Sequence, residues 1–293
     1  MQKPSASVII CTRNRRDDIV ACLNSLASQT YTDFELIVVD SSDTSLSVDP
    51  LFSQAVHVFK AAYTYVRSDP GLTVQRNKGI RLAAGDIVYF FDDDVILADH
   101  YLEVMQETFM QHPAYVGGMG SITNMQRQSS WFWQIIYATF LLPRDYASGC
   151  FTLSGMPTHA YGSTSFKTIE CVGGCCMAFR RSMLTTHFFD EQLKRYAYME
   201  DCDISWRIAQ EGSLFYQPAA RLAHNNSPVA RDAAIENRAM FMRNYRYLYA
   251  KNVYPQNRFS LLAHWWSIVG LFFVAMVLRD TASLRGYVQG LMR

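Results

Sequence analysis

The chain has 293 residues, and 27 Lys and Arg against 26 Asp and Glu leave a formal charge of +1. Charged residues are 18% and aromatic residues 14% of the chain, where an ordinary soluble domain carries roughly 25% charge. Such a composition excludes a disordered chain and offers no basic field for nucleic acid, while seven cysteines with no C-x-x-C pair exclude a disulfide scaffold.

Met1–Arg16 lacks the form of a signal peptide, because its apolar run Val8–Cys11 is short and is followed at once by Arg13, Arg15 and Arg16. A cytoplasmic protein is expected. Ser7–Thr12 is a continuous apolar run of the kind found in a strand buried on both faces. Arg15–Gln29 carries Ile19, Cys22, Leu23 and Leu26 at helical spacing. Phe34–Val39 predicts a second buried strand ending at Asp40, and His57–Arg67 a third. Asp69-Pro70-Gly71 is a turn, Thr73–Ala84 a helix stopped by Gly85, and Asp86–Phe91 a fourth strand ending in Asp92-Asp93-Asp94. Alternation of this type predicts an α/β fold with a mainly parallel sheet, whose ligand sits beyond the carboxyl ends of the strands.

The second half is less regular. Trp131–Pro143 is apolar but too short to cross a bilayer, and Arg144–Thr168 is expected to be a long loop. Cys171–Phe179 predicts a strand opened by Gly173-Gly174, Asp203–Glu211 a helix closed by Gly212, and Leu214–Ala223 a strand-like stretch before His224. Ala233–Lys251 predicts a long helix. Phe259–Leu278 holds no Asp, Glu, Lys or Arg, and about 20 such residues suffice to cross a hydrocarbon core as a helix. Beyond it, Leu284, Tyr287, Val288 and Leu291 recur at the spacing of an interfacial helix. Attachment to the cytoplasmic face of a membrane through this segment is therefore expected.

Three consecutive carboxylates after an apolar strand call for a cation. In extended backbone, Asp92 and Asp94 share a side and Asp93 points elsewhere; oxygen ligands suit Mg²⁺ or Mn²⁺. The second acidic group, Glu200-Asp201-x-Asp203, reads equally as the first turn of a helix or as a source of a general base.

In order, these segments resemble the family 2 glycosyltransferases of the GT-A fold over about Ser5–His224. The resemblance rests on SVIICTRNR (Ser7–Arg15), ELIVVDSS (Glu35–Ser42), GLTVQRNKGI (Gly71–Ile80) and DIVYFFDDDV (Asp86–Val95). It continues through VGGCCMAFRR (Val172–Arg181), FDEQL (Phe189–Leu193) and MEDCDISWRIAQEG (Met199–Gly212). It implies a catalytic domain over 1–230 and a helical, membrane-associating extension over 231–293. It implies a nucleotide-diphosphate sugar as donor, a glycan or lipid-linked acceptor, and inversion at the transferred sugar. Thr12, Arg13, Asp40, Arg76, Asp92 and Asp93 would bind the nucleotide sugar, and Asp92, Asp94 and His224 the Mn²⁺ or Mg²⁺. Asp201 would be the catalytic base, with Gly174 and Glu200 on the acceptor side. A nucleotidyltransferase is the alternative reading, although Thr12–Arg16 has no glycine to make a phosphate loop; a non-catalytic scaffold of the same fold is another.

Overall fold

A computed structural model of the chain describes residues 3–59, 63–125, 130–142, 148–225 and 234–292. Part of the expected 144–168 loop, the start of the helix expected at 233 and the expected boundary at 230 lie outside the described residues. The first half runs β1 (Ala6–Thr12), α1 (Arg16–Ala27), β2 (Phe34–Asp40), α2 (Pro50–His57), β3 (Tyr63–Arg67), α3 (Leu72–Leu82) and β4 (Ile87–Asp92). Strands β1, β2 and β4 are almost wholly buried, so their side chains are apolar on both faces. Helix α1 buries Ile19, Cys22, Leu23 and Leu26 on the sheet, and Asp17 and Asp18 complement its dipole at the first turn.

The third strand is shorter than the sequence suggests. Asp49 caps α2 by accepting from the Phe52 amide at 3.0 Å, with Pro50 at the first helical position. That helix takes residues up to His57 and leaves only Tyr63–Arg67 for β3.

The chain then adds β5 (Val95–Leu97), α4 (Tyr101–Gln111), β6 (Tyr115–Ile122), α5 (Trp131–Thr139), β7 (Lys167–Ile169), β8 (Cys176–Arg180) and α6 (Arg181–Leu184). It ends with α7 (Glu200–Ala209), β9 (Ser213–His224), α8 (Ala234–Leu248), a π-helical turn (Tyr249–Val253), α9 (Ser260–Val277) and α10 (Thr281–Met292). The strands form one sheet in the order β3-β2-β1-β4-β8-β6-β9-β5, with β7 also on β9. Pairing is parallel across β3, β2, β1 and β4, and mixed beyond. The fold is thus a mixed, mainly parallel α/β sheet with flanking helices. Chain order reverses at β1, which has β2 on one side and β4 on the other. The crevice at their carboxyl ends is the place where such sheets bind ligands.

Helices α8, α9 and α10 form a second core with Met156, Cys171, Leu193 and Cys202 of the earlier chain. Helix α10 lies close on α8: a Cβ on Gly286 would stand 2.4 Å from Arg238 Cβ, and one on Gly290 2.6 Å from the Ala239 carbonyl. Helix α9 is long and apolar enough to cross a membrane, yet 39% of it is buried against the protein. Its inner face is Ser260, His264, Ser267, Ile268, Gly270 and Leu271. Tyr245 bonds Ser267, and Tyr249 stacks on His264 with centroids 3.8 Å apart. Its outer face is open, with Leu262 82% exposed. Helix α5 lies beside it through Phe140 stacked on Trp266, and buries none of its own residues.

Candidate active site

A cavity of about 440 Å³ opens at the reversal point, where Cys11 of β1 is paired in register with Asp92 of β4. Thr12, Arg13, Arg76, Asp92, Asp93, Asp94, Gly174, Glu200, Asp201 and His224, ten of the residues singled out from the sequence, all line it.

The first group is acidic. Ligand atoms of Asp92, Asp94 and His224 lie within 4.8 Å of one another. His224 Nε2 is 3.0 Å from Asp94 Oδ1 and 3.9 Å from Asp92 Oδ2. It arrives there because β9 ends beside β5, with His224 in register with Val95. Burial opposes a charged imidazole, but the hydrogen bonds to Asp94 and Cys175 outweigh it and lift its pKa to about 11. Burial also raises Asp92, against the pull of Arg76 and His224. Two carboxylates and an imidazole converging on one point form a donor set that suits Mn²⁺ or Mg²⁺. The residues present fit such an ion.

Asp93 turns the other way. It accepts from Thr12 Oγ1 at 2.7 Å and from Arg15 Nη1 at 2.9 Å. Burial pushes its pKa up to about 7, with Arg15 and Thr12 opposing. Arg15 also lies 3.6 Å from Asp94. Arg15 is not among the residues expected at the site, and its signal in the sequence is its place just after the first strand.

Arg76 is the hub of the site. It lines the cavity and is bonded to Glu200, to the Gly174 carbonyl at 2.9 Å and to Asp92 at 3.2 Å, with Phe189 beneath its guanidinium. A nucleotide contact is expected of it from the sequence; the bonds of its guanidinium also fix Asp92 and Glu200. Burial and the neighbouring Asp201 raise the Glu200 pKa, with Arg76 opposing.

Asp201 is linked to the acidic group through Gly174 and Arg76. Its Oδ2 accepts from the Gly174 amide at 2.9 Å and its Oδ1 from the Cys202 amide at 2.8 Å. Gly174 has no room for a side chain, since a Cβ would lie 3.0 Å from Glu200 Oε1 and 3.3 Å from Asp201 Oδ2. Two corrections to the expected elements follow. β8 begins at Cys176, so Gly173-Gly174 belong to the turn before it; α7 begins at Glu200, so Asp201 lies in a first helical turn. The approach is strained, with Arg195, Ala197 and Met199 at φ of 62°, 53° and 72°, a region non-glycine residues rarely occupy. Asn244 of α8 holds this loop by donating to the Tyr198 carbonyl at 2.7 Å.

Asp40 is the exception among the expected residues. It is fully buried, and its oxygens accept from the Ser42 amide at 2.7 Å, Leu46 amide at 3.1 Å, Tyr65 hydroxyl at 2.6 Å and Arg67 at 2.7 Å. Three of these donors meet Oδ2 and one meets Oδ1. Although burial opposes its charge, these bonds hold its pKa below the usual range. Asp40 is not among the residues that line the cavity, and it organises the turn after β2.

The comparisons agree with this geometry. A family model described as glycosyl transferase family 2 matches residues 7–188. The chain is 35% identical over 108 residues to YibD, an uncharacterized glycosyltransferase of Escherichia coli (strain K12), covering 36% of this chain and 29% of that one. It is 35% identical over 101 residues to the PGL/p-HBAD biosynthesis glycosyltransferase of Mycobacterium bovis (strain BCG / Pasteur 1173P2), covering 34% and 40%. The chain thus spans well under half the length of these curated relatives. Among solved structures, GalNAc-T7 with UDP, GalNAc and Mn²⁺ superposes with a TM-score of 0.64 at 15% identity, covering 89% of this chain and 52% of that one. That likeness shows a GT-A-like fold. By the match over more than half its length, the chain belongs to glycosyltransferase family 2.

Proposed function

We propose that this chain transfers a sugar from a nucleotide-diphosphate sugar to a hydroxyl acceptor, with inversion at the transferred carbon. The observation that carries this reading is that one cavity is lined both by the Asp92, Asp94 and His224 cluster and by Asp201. Asp92, Asp94 and His224 would hold Mn²⁺ or Mg²⁺, which when bound supplies Lewis-acid neutralisation of the departing diphosphate. Thr12 and Arg13 line the donor side, and Asp93 holds Thr12 in place. In the same cavity, Asp201 accepts the proton of the attacking hydroxyl. Its two amide donors aim the carboxylate while leaving each oxygen a further lone pair. Glu200 beside it is engaged by Arg76, so one carboxylate is left to act as base, as a single displacement requires.

The open apolar faces of α5 and α9 support a lipid surface as partner. Because the inner face of α9 is fastened to α8, an in-plane position fits the helix better than a crossing. A lipid-linked acceptor in surface polysaccharide or glycolipid assembly follows from that placement, and M. bovis offers a relative whose name places it in PGL/p-HBAD biosynthesis.

The test is calorimetric titration of UDP, GDP, CDP and TDP with and without Mn²⁺. At least one nucleotide is expected to bind only with Mn²⁺, and Asp94→Ala to abolish that dependence. Binding that ignores Mn²⁺, or none at all, would overturn the reading.

A further inference from the structure

A second cavity, of about 420 Å³, lies between α7 and the C-terminal helices, within the roughly 300–1,000 Å³ range of ligand pockets. It meets the first at Asp201: Tyr198, Met199 and Asp201 line both. The two differ in character. Around the second stand Leu271, Val274, Ala275 and Leu278 of α9, with Phe241 of α8 and Tyr287 of α10. Its charged groups other than Asp201 are Arg238 and Asp280, which offset one another. Leu271, Val274, Ala275 and Leu278 give the space an apolar wall, and His159, Arg238, Asp280 and Ser283 add polar groups to it, a mixed lining that suits a ligand with a polar head and an apolar body. The same turns of α9 that form the wall present Val269, Phe273, Met276 and Val277 to the outside, next to α5 with its exposed Trp131. Helix α9 thus presents apolar side chains both to the cavity and to the exterior.

We propose that the second cavity is the acceptor site and takes an amphiphile, with a hydroxyl-bearing head at Asp201 and an apolar body against α9. The proposal deepens the function given above and rests on Asp201 being the base. In the transfer, the acceptor oxygen bonds to the anomeric carbon and the bond from that carbon to the diphosphate oxygen breaks. Its electron pair leaves with the nucleoside diphosphate, and the hydroxyl proton goes to Asp201.

The test uses n-octyl β-D-glucoside, below its micelle concentration, and methyl β-D-glucoside as calorimetric probes of the intact chain. The octyl compound is expected to bind about a hundredfold tighter, which burial of three or four methylenes supplies. Leu278→Trp places bulk into the cavity from a position that is 54% exposed, so the core is undisturbed. It should weaken octyl glucoside about tenfold or more and leave Mn²⁺-dependent nucleotide binding unchanged. Leu262→Ser, on the outer face of α9, should change neither. Equal binding of the two glucosides, or a loss that follows Leu262→Ser and not Leu278→Trp, would overturn the proposal, the latter placing the amphiphile on the outer surface. Loss of nucleotide binding in the intact chain, with octyl binding present, would refute the donor-site reading instead.

Discussion

Replacing Asp201 by Asn separates proton removal from every other task of the site. The substitution keeps shape and volume but leaves one oxygen where two amides now donate. Gly174 approaches Oδ2 at 2.9 Å and Cys202 approaches Oδ1 at 2.8 Å, so in either orientation the new NH₂ faces an N–H donor. One hydrogen bond is lost and one donor left unsatisfied, which costs about 1–3 kcal/mol. In a chain of this size each kcal/mol lowers the melting temperature by roughly 2–4 °C, so Asp201→Asn should remain folded at 25 °C with a visibly lower transition. Removing a well-placed general base slows transfer by about 10²–10⁴-fold. The assay pairs turnover, followed as nucleoside diphosphate release with acceptor present, with calorimetric nucleotide affinity in Mn²⁺. Turnover should collapse while affinity holds, because Asp201 is not one of the grouped ligands Asp92, Asp94 and His224. If both fell together in a protein that still melts cooperatively, Asp201 would belong to the donor-binding apparatus and the assignment of the base would be wrong.

Further outcomes concern residues outside the acidic cluster. Asp40→Asn should destabilise the fold by about 1–3 kcal/mol in denaturant titrations, since one of its four donors is left facing an amide N–H; nucleotide affinity should be unchanged, and a loss of affinity without a loss of stability would restore Asp40 to the binding pocket. His264 is held neutral by burial, its pKa lowered from 6.5 to about 4, with the Ser154 carbonyl opposing. The unfolded chain therefore binds a proton that the folded chain refuses between those values, and stability falls as pH drops from 6.5 towards 4. Thermal melts of His264→Gln across that window should show a flatter pH dependence than those of the parent chain.

The parallel half of the fold was legible because β1, β2 and β4 are buried on both faces and announce it as unbroken apolar runs. The α2 helix was hidden by the β-branched and aromatic residues that follow it, although Asp49-Pro50 is a readable helix start. Alternation in extended backbone was expected to separate Asp92 and Asp94 from Asp93; Asp93 is indeed turned to Thr12 and Arg15, but through a turn at residues 93–94 between β4 and β5. Other roles depend on distant partners that local pattern does not encode. Asp40 accepts from Tyr65 and Arg67 on the neighbouring strand, and Arg76 is bonded to Glu200, 124 residues away. The second cavity was equally invisible, being walled by three C-terminal helices around a loop near residue 198.

The fastening of α7 has a consequence for the order in which the site is made. Asp203, two residues beyond Asp201, accepts from Lys251 at 2.8 Å and Asn252 at 3.0 Å in the π-helical turn, and Asn244 holds Tyr198. The donor side needs mostly the first hundred residues, which pair locally and early. During synthesis from the N-terminus, at about 5–20 residues per second, that half can form while the supports of the base have yet to emerge. Asp201 acquires its supports only when residues 244–252 arrive, just ahead of the apolar helix α9. A nascent chain can therefore order the β1–β4 half of the sheet before Asp201 is braced, and the apolar helix α9 follows both.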